Sequence, residues 1–486
     1  MRRLRVWILL LAVLACALPA GAHVGNKDVF EEVTAGPYKL FVTIRTPIVI
    51  PGVATIEVRS SGAPVNSILI SPLLLTGEAS KHPPTPDGMR VSADDKSFFT
   101  GSLWLMGTGS WQVRFTVTGV AGTAVAAVPV PAAPTQMLKM QRPMGMLLGG
   151  LGLMLVLGMV GIAAAAVREA RLEPGVQPDG VRRRRALVGG ALTLVFACAA
   201  VYLGGKWWNV EAADYAKQLN WAAQMHPELK GGVLNLSITY PDGRDRDKID
   251  TLETKDLLPD HGHLMHLYAI REPEMDAAFH LHPAAVGETE LSEALPAMPA
   301  GHYKLYGDIV MPSGFAETVT GTMMVPAGMH GTALSAEDAS AAPPPLSAGE
   351  LGATYKLPGG YSMAWEKPAE IKADTAYAFR FTLLDPSGKP AADVVPYLGM
   401  AGHAAFVKTD GTAFAHTHPE GSAAMPAMML ANAGEPDAMA MDTGPKTLPP
   451  VVEFPYGFPS AGRYRIFIQM KHGSTVETGV FDAEVK

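Results

Sequence analysis

Two His-x-His-Pro motifs, His280-Leu281-His282-Pro283 and His416-Thr417-His418-Pro419, recur at an offset of 136 residues. In a strand, residues two apart project from the same face, so each pair predicts a chelating couple of imidazoles. A further histidine precedes each pair, His266 by 14 residues and His403 by 13. A hairpin turning at Arg271-Glu272-Pro273-Glu274, or at Thr409-Asp410-Gly411, sets that histidine beside its pair. The sequence thus predicts two separate sites, His266/His280/His282 and His403/His416/His418. Neutral imidazole suits copper, zinc, iron and nickel, and copper(II) heads the divalent affinity order. Copper is therefore the expected metal and zinc the second choice. His261 and His263 are expected to extend the first site or to support its ligands from behind. Thioethers favour copper(I), and Met265, Met400 and the run Met425, Met428, Met429 could supply them.

A single histidine on a strand is usually structural, and His82, His226, His302, His330 and His472 are read that way. The matched triads weigh more, because both the pair and its upstream partner are duplicated. Thiol chemistry is excluded from the soluble parts: Cys16 and Cys198 both fall inside apolar runs. His23 is a separate candidate. Cleavage after Ala22 would make it the first residue, and its amine and ring could clasp one copper as a histidine brace, with His82 or Asp28 completing the site.

The elements that must position these residues are read from patterning. The 486 residues are 48% hydrophobic and 17% charged with a net charge of −7, which argues against disorder and against nucleic-acid binding. Fifty Gly and 40 Pro suit turn-rich β structure. Residues 1–22 read as a secretory signal peptide, with a basic start, an apolar core and an Ala20-Gly21-Ala22 cleavage site. Residues 23–140, with alternating runs such as Lys39–Arg45, Ala54–Arg59 and Trp111–Val117, predict a first β-sandwich. Two uncharged stretches, 143–167 and 186–205, predict transmembrane helices, and the Arg-rich loop 168–185 between them is expected on the cytoplasmic side. A short helix is predicted over Val210–Met225.

The remainder reads as a duplication: a sandwich over 206–334, a linker over 335–350, and a second copy over 351–486. The offset grows from 136 at the motifs to 161 between Gly301-His302-Tyr303 and Gly462-Arg463-Tyr464. That growth marks a Met-rich insertion, 421–445, expected to be a mobile loop that collects copper(I).

The stretch Asp260-His261-Gly262-His263-Leu264-Met265-His266, followed by Phe279-His280-Leu281-His282-Pro283 and Ala300-Gly301-His302-Tyr303, resembles the YtkA-like periplasmic domains, which are akin to FixH and CopC-type proteins of copper handling. The resemblance implies a mainly β chain of three immunoglobulin-like, cupredoxin- or CopC-like sandwiches plus the two transmembrane helices. It also implies copper. CopC-type proteins use the mature N-terminal histidine as a ligand, a place that only His23 could fill here.

The expected function is a membrane-anchored periplasmic protein that holds or delivers copper, or confers copper tolerance, and is not an enzyme. Its expected partners are the bacterial cytoplasmic membrane and a copper-dependent respiratory enzyme or copper exporter, with no nucleic acid. One rival is a metal-free assembly module of a membrane complex. The other is a three-histidine metal enzyme with Asp260, Asp308 or Glu317 as its acid.

Overall fold

The computed structural model describes residues 28–217, 219, 222–241, 249–433 and 447–486. The leader, His23, Met439 and Met441 lie outside the described residues. The chain is mainly β, with two long apolar helices, and divides into a β unit (Met1–Ala133 and Trp221–Lys486) and a helical unit (Pro134–Asn220).

In the helical unit, α1 (Arg142–Glu169) and α2 (Gly180–Lys217) are each long and apolar enough to cross a membrane, with peak mean hydropathies of 2.3 and 2.2. Helix α2 starts earlier than the predicted span because the Asp179 carboxylate accepts the Arg182 backbone N–H and caps the first turn. Arg182–Arg185 therefore belong to the helix rather than to the expected loop. The separate helix expected from Val210 is a continuation of α2 to Lys217, and Gln224 and Met225 open the strand Gln224–Lys230.

The β unit has three segments. In the first, a sheet built from Val29–Ala35, Tyr38–Arg45, Gly52–Gly62 and Phe98–Leu105 faces another built from Val65–Leu74, Gly109–Gly119 and Gly122–Ala132. Alternate residues such as Leu40, Val42, Ile56, Val58, Val113 and Phe115 point between the sheets and form one core. The second segment is one ten-stranded sheet, nine strands of it running in order from Ala284–Ala285 to Ala339–Ala341 and Ile249–Thr251 pairing off that path, around a core containing Leu236, Leu267, Phe279 and Leu305. The third encloses Trp365, Phe379, Phe381, Phe406 and Phe481 between a sheet containing Tyr377–Leu384 and one containing His403–Lys408, Phe414–Thr417 and Gly462–His472.

The second and third segments are packed on each other, and strand periodicity shows how. In His266–Glu272, Leu267 and Ala269 face the segment's own core, while Tyr268 and Ile270 face outward. In His403–Lys408, Ala404 and Phe406 face inward, while Ala405 and Val407 face outward. The outward sets join Ala278, Tyr306, Phe414 and Phe467 in one buried cluster between the segments. These strands are buried on both faces. Their histidines are collinear with that outward set.

Residues 335–350 do more than link the copies. Ala339–Ala341 pairs with Ala278–Leu281 and adds an edge strand to the second segment. The insertion also departs from expectation. Its described part forms helix α3 (Met425–Ala431), whose Ala427 and Ala431 pack on Leu75 and Ala127 of the first segment. The Asn432 side chain secures it, accepting from Ala127 N and donating to Ala127 O, both at 2.9 Å.

The first segment also grips the turn after the second His-x-His motif. Phe30 N donates to Ser422 Oγ at 3.0 Å, and Ala423 N donates to the Glu31 carboxylate at 3.1 Å. Glu31 is only 1% exposed, and burial, with Glu420 nearby, pushes its pKa well above the usual carboxylate value of 4.5. The folded state thus holds a proton that the unfolded chain releases, so stability falls as pH rises above about 4.5 until Glu31 itself ionises. Glu31→Gln keeps the acceptor and removes this cost. Its melting midpoint is expected to exceed wild type by several degrees near pH 7, with the gap closing toward pH 4. Equal midpoints across that range by differential scanning calorimetry would refute the burial argument.

Candidate metal centre

Each hairpin brings its histidines to one end of the outward face. In the second segment Tyr268 pairs with His280, and His266 pairs with Asp308. In the third, Ala405 pairs with His416, and His403 pairs with Gln469. Because the two faces are apposed, the result is a single cluster of eight rings: His261, His263, His266, His280, His282, His403, His416 and His418. Ring centroids bridge the segments at 5.2 Å for His266–His416, 5.3 Å for His261–His403 and 4.9 Å for His261–His418.

The residues of the two expected sites thus lie in one cluster, and the grouping differs from the expected triads. Two sets have ligand nitrogens within 4.8 Å of one another: His266, His280 and His282, and His261, His403 and His418. The first is the predicted triad. In the second, His261 crosses over from the other segment, and His416 lies between the sets, 5.2 Å from His266 and 4.8 Å from His418 by ring centroid.

Turn chemistry explains the crossing. Asp260 and His263 bond each other's backbone in both directions, and His261 and Gly262 between them have φ of 49° and 88°. Positive φ at both central residues is the tight two-residue hairpin geometry, with glycine at the second position. Tyr397 and Met400 repeat it around Leu398 and Gly399, at 51° and 81°, an offset of 137 residues, equal to that from His266 to His403. Each turn reaches toward the other segment. The Tyr397 hydroxyl lies 3.3 Å from His280 Nδ1, and the His261 ring lies 5.3 Å from that of His403.

Outer partners fix several rings. His282 Nδ1 donates to Asp338 at 3.0 Å and His416 Nδ1 donates to Asp308 at 3.1 Å. In a neutral ring that leaves the lone pair on Nε2, and both Nε2 atoms are buried without a hydrogen-bond partner. His280 Nδ1 lies 2.8 Å from Gln469 Oε1, and its ring stacks on Tyr268 at 4.2 Å. Asp308 and Gln469 occupy corresponding places, 161 residues apart, and each supports a histidine of the opposite segment. The sequence reading took Asp308 only as a possible enzyme acid and missed Gln469. Their shared offset, the same as that of the Gly-x-Tyr strands, was the available signal. Asp338 lay hidden in the expected linker.

Burial sets the charge state. It pushes His266, His280, His403 and His418 well below the usual imidazole range, lowers His282, and with His416 brings His261 to about 4. These rings are neutral at pH 7, as metal ligands must be. Burial also raises the Asp260 carboxyl to about 6. Of the eight rings, His263 reaches the surface, with 21% of its side chain exposed and Nε2 3.0 Å from Glu337.

Three of the expected thioether ligands lie elsewhere. Met265 is fully buried in the second segment's core, Met428 packs against the first segment's core, and Met429 is exposed. Met425 contributes its backbone N–H to Asp260 at 3.2 Å. Of the proposed acids, Glu317 accepts the Ala223 backbone N–H away from the cluster. His226 bonds Thr239, and His472 lies between Asp393 and Glu477 against Tyr361.

Residues 355–486, the third segment, match the model of a family described as a domain of unknown function, DUF8832. No curated protein matches the chain. Among solved structures, it is similar to a tetra-tandem repeat from the extending region of a large adhesion protein, with 9% identity, 92% of this chain and 74% of that one covered, and a TM-score of 0.17. A bacterial ice-binding adhesin of 1.5 MDa gives 7% identity, 93% and 99% coverage, and 0.14. Native Escherichia coli alpha-2-macroglobulin gives 8%, 94% and 23%, and 0.20. TM-scores this low carry no argument about fold or function.

Proposed function

We propose that this chain is a membrane-anchored copper-holding protein whose second and third β segments close around one shared imidazole centre. The observation that carries the reading is the set of buried, unpartnered ring nitrogens: both of His261, His403 and His418, and Nε2 of His282 and His416. An unpaired buried polar atom costs about 1–3 kcal/mol, so such a concentration calls for a ligand that binds lone pairs. Copper leads zinc on the affinity order of nitrogen donors. That preference rests on the imidazoles, since Met265, Met428 and Met429 have other places. Near-complete burial suits holding an ion better than turning over a substrate, and His263 with Glu337 marks the way in.

In this reading the three segments are immunoglobulin-like sandwiches of the YtkA-like kind, the two helices anchor them, and the β unit faces the periplasm. The copper would pass to or from a respiratory enzyme or an exporter. The test uses the full chain in detergent, exposed to copper(I), copper(II) and zinc in turn and then desalted. Copper is expected to stay bound against an equal concentration of zinc. Retention of no metal would instead support a metal-free assembly module, and preference for zinc would overturn the choice of copper.

A further inference from the structure

Resting on that reading, we infer that the cluster is a two-ion centre with unequal pockets, and that the pocket shared between the segments fills first. The two sets differ in how their nitrogens are used. In the shared pocket, His261 comes from the second segment and His403 and His418 from the third, and none of their six ring nitrogens has a hydrogen-bond partner. Three neutral rings are already oriented, so an ion entering there breaks no hydrogen bond between rings.

The other pocket is occupied by its own hydrogen bonds. His266 Nε2 donates to the Asp260 carbonyl at 3.1 Å, so in the neutral ring Nδ1 accepts from His280 Nε2, also at 3.1 Å. His280 Nδ1 lies 2.8 Å from the Gln469 side-chain amide. Of the three rings, His282 alone presents an unpartnered nitrogen, its Nε2. An ion that takes all three rings must break the His266–His280 bond, and the proton in it must move to His280 Nδ1, beside Gln469 Oε1. Filling this pocket therefore costs a hydrogen bond and a change of tautomer that the shared pocket does not require.

His416 separates the two. Its ring centroid lies 5.2 Å from His266, 5.6 Å from His280 and 5.4 Å from His403, with Asp308 behind it and Nε2 free. It can complete the coordination of either ion. The shared pocket also joins the two segments, so the first ion locks together the face on which the second pocket is built.

The experiment counts copper on the full chain in detergent. Copper(I) is added anaerobically against a chromogenic copper(I) chelator, and bound metal is measured by inductively coupled plasma mass spectrometry. Wild type is expected to bind two ions in two steps separated by at least tenfold in affinity. His403→Gln/His418→Gln is expected to keep one ion and lose the tighter step. His280→Gln/His282→Gln should keep one ion and retain that step. The single variants His418→Gln and His282→Gln, whose positions are at strand ends, provide the same comparison should a double variant misfold. One ion in wild type, lost in both variants, would overturn the two-pocket inference while leaving copper holding intact. Retention of the tighter step in the His403/His418 variant would overturn the filling order. No copper on wild type would overturn the functional proposal itself.

Discussion

Phe414→Ala is expected to destabilise the β unit by about 3–5 kcal/mol and to weaken metal retention without removing any ligand. Phe414 is 1% exposed and stacks on Tyr306 of the other segment, with centroids 4.3 Å apart and planes within 5°. It also lies 5.5 Å from Tyr268, the residue stacked on His280. Truncation would leave a cavity in the layer that holds the two segments in register. A site built within one segment would not notice, but one assembled across the interface would. Chemical denaturation gives the stability loss, and the chelator competition gives the affinity. Lowered stability with unchanged copper affinity in both steps would show that the segments bind metal independently.

Arg465→Met is the second large effect, expected to cost about 3–5 kcal/mol because it strands a buried carboxylate. Arg465 and Asp482 are both fully buried, joined through Nε at 2.8 Å and Nη2 at 3.0 Å. The guanidinium also donates to Met275 O in the second segment at 3.0 Å and to Pro344 O between the copies at 2.9 Å. It therefore staples three parts of the chain around the same interface. Although burial opposes ionisation of Asp482, its bonds from Arg465, Leu351 N and Arg463 hold its pKa below the usual 3.8. Such a carboxylate stabilises the fold above about pH 4, and the contribution is lost as pH falls through its folded value. The double variant Arg465→Met/Asp482→Leu is expected to recover much of the loss, because an apolar pair of similar volume removes the stranded charge. Recovery of nothing would mean that the carbonyl bonds, rather than the ion pair, carry the energy. Loss of copper affinity in step with stability would tie the staple to the centre.

Much of this protein was legible in its sequence because the signals are local. Strand period two put His280 with His282 and His416 with His418 on common faces, and both hairpins formed around the turns their residues suggested. Helix length and hydropathy marked α1 and α2, although the Asp179 cap moved the start of the second. The duplication was visible as spacing. The insertion was visible as a length difference, but its docking on the first segment was not, since Asn432 and Ala127 are 305 residues apart.

What the sequence by itself determined was that each copy carries three imidazoles that one hairpin can bring together, with thiols excluded. Only the tertiary structure decided that the two faces meet. Periodicity tells which side of a strand a residue occupies, but what stands opposite depends on non-local packing of Tyr268, Tyr306, Phe414 and Phe467 between segments. The doubly apolar strands His266–Glu272 and His403–Lys408 hinted at a covered outer face, because a half-exposed sheet would have alternated. Once those faces close, His261 leaves its own copy for the other, Asp308 and Gln469 exchange partners, and two predicted triads become one eight-ring cluster.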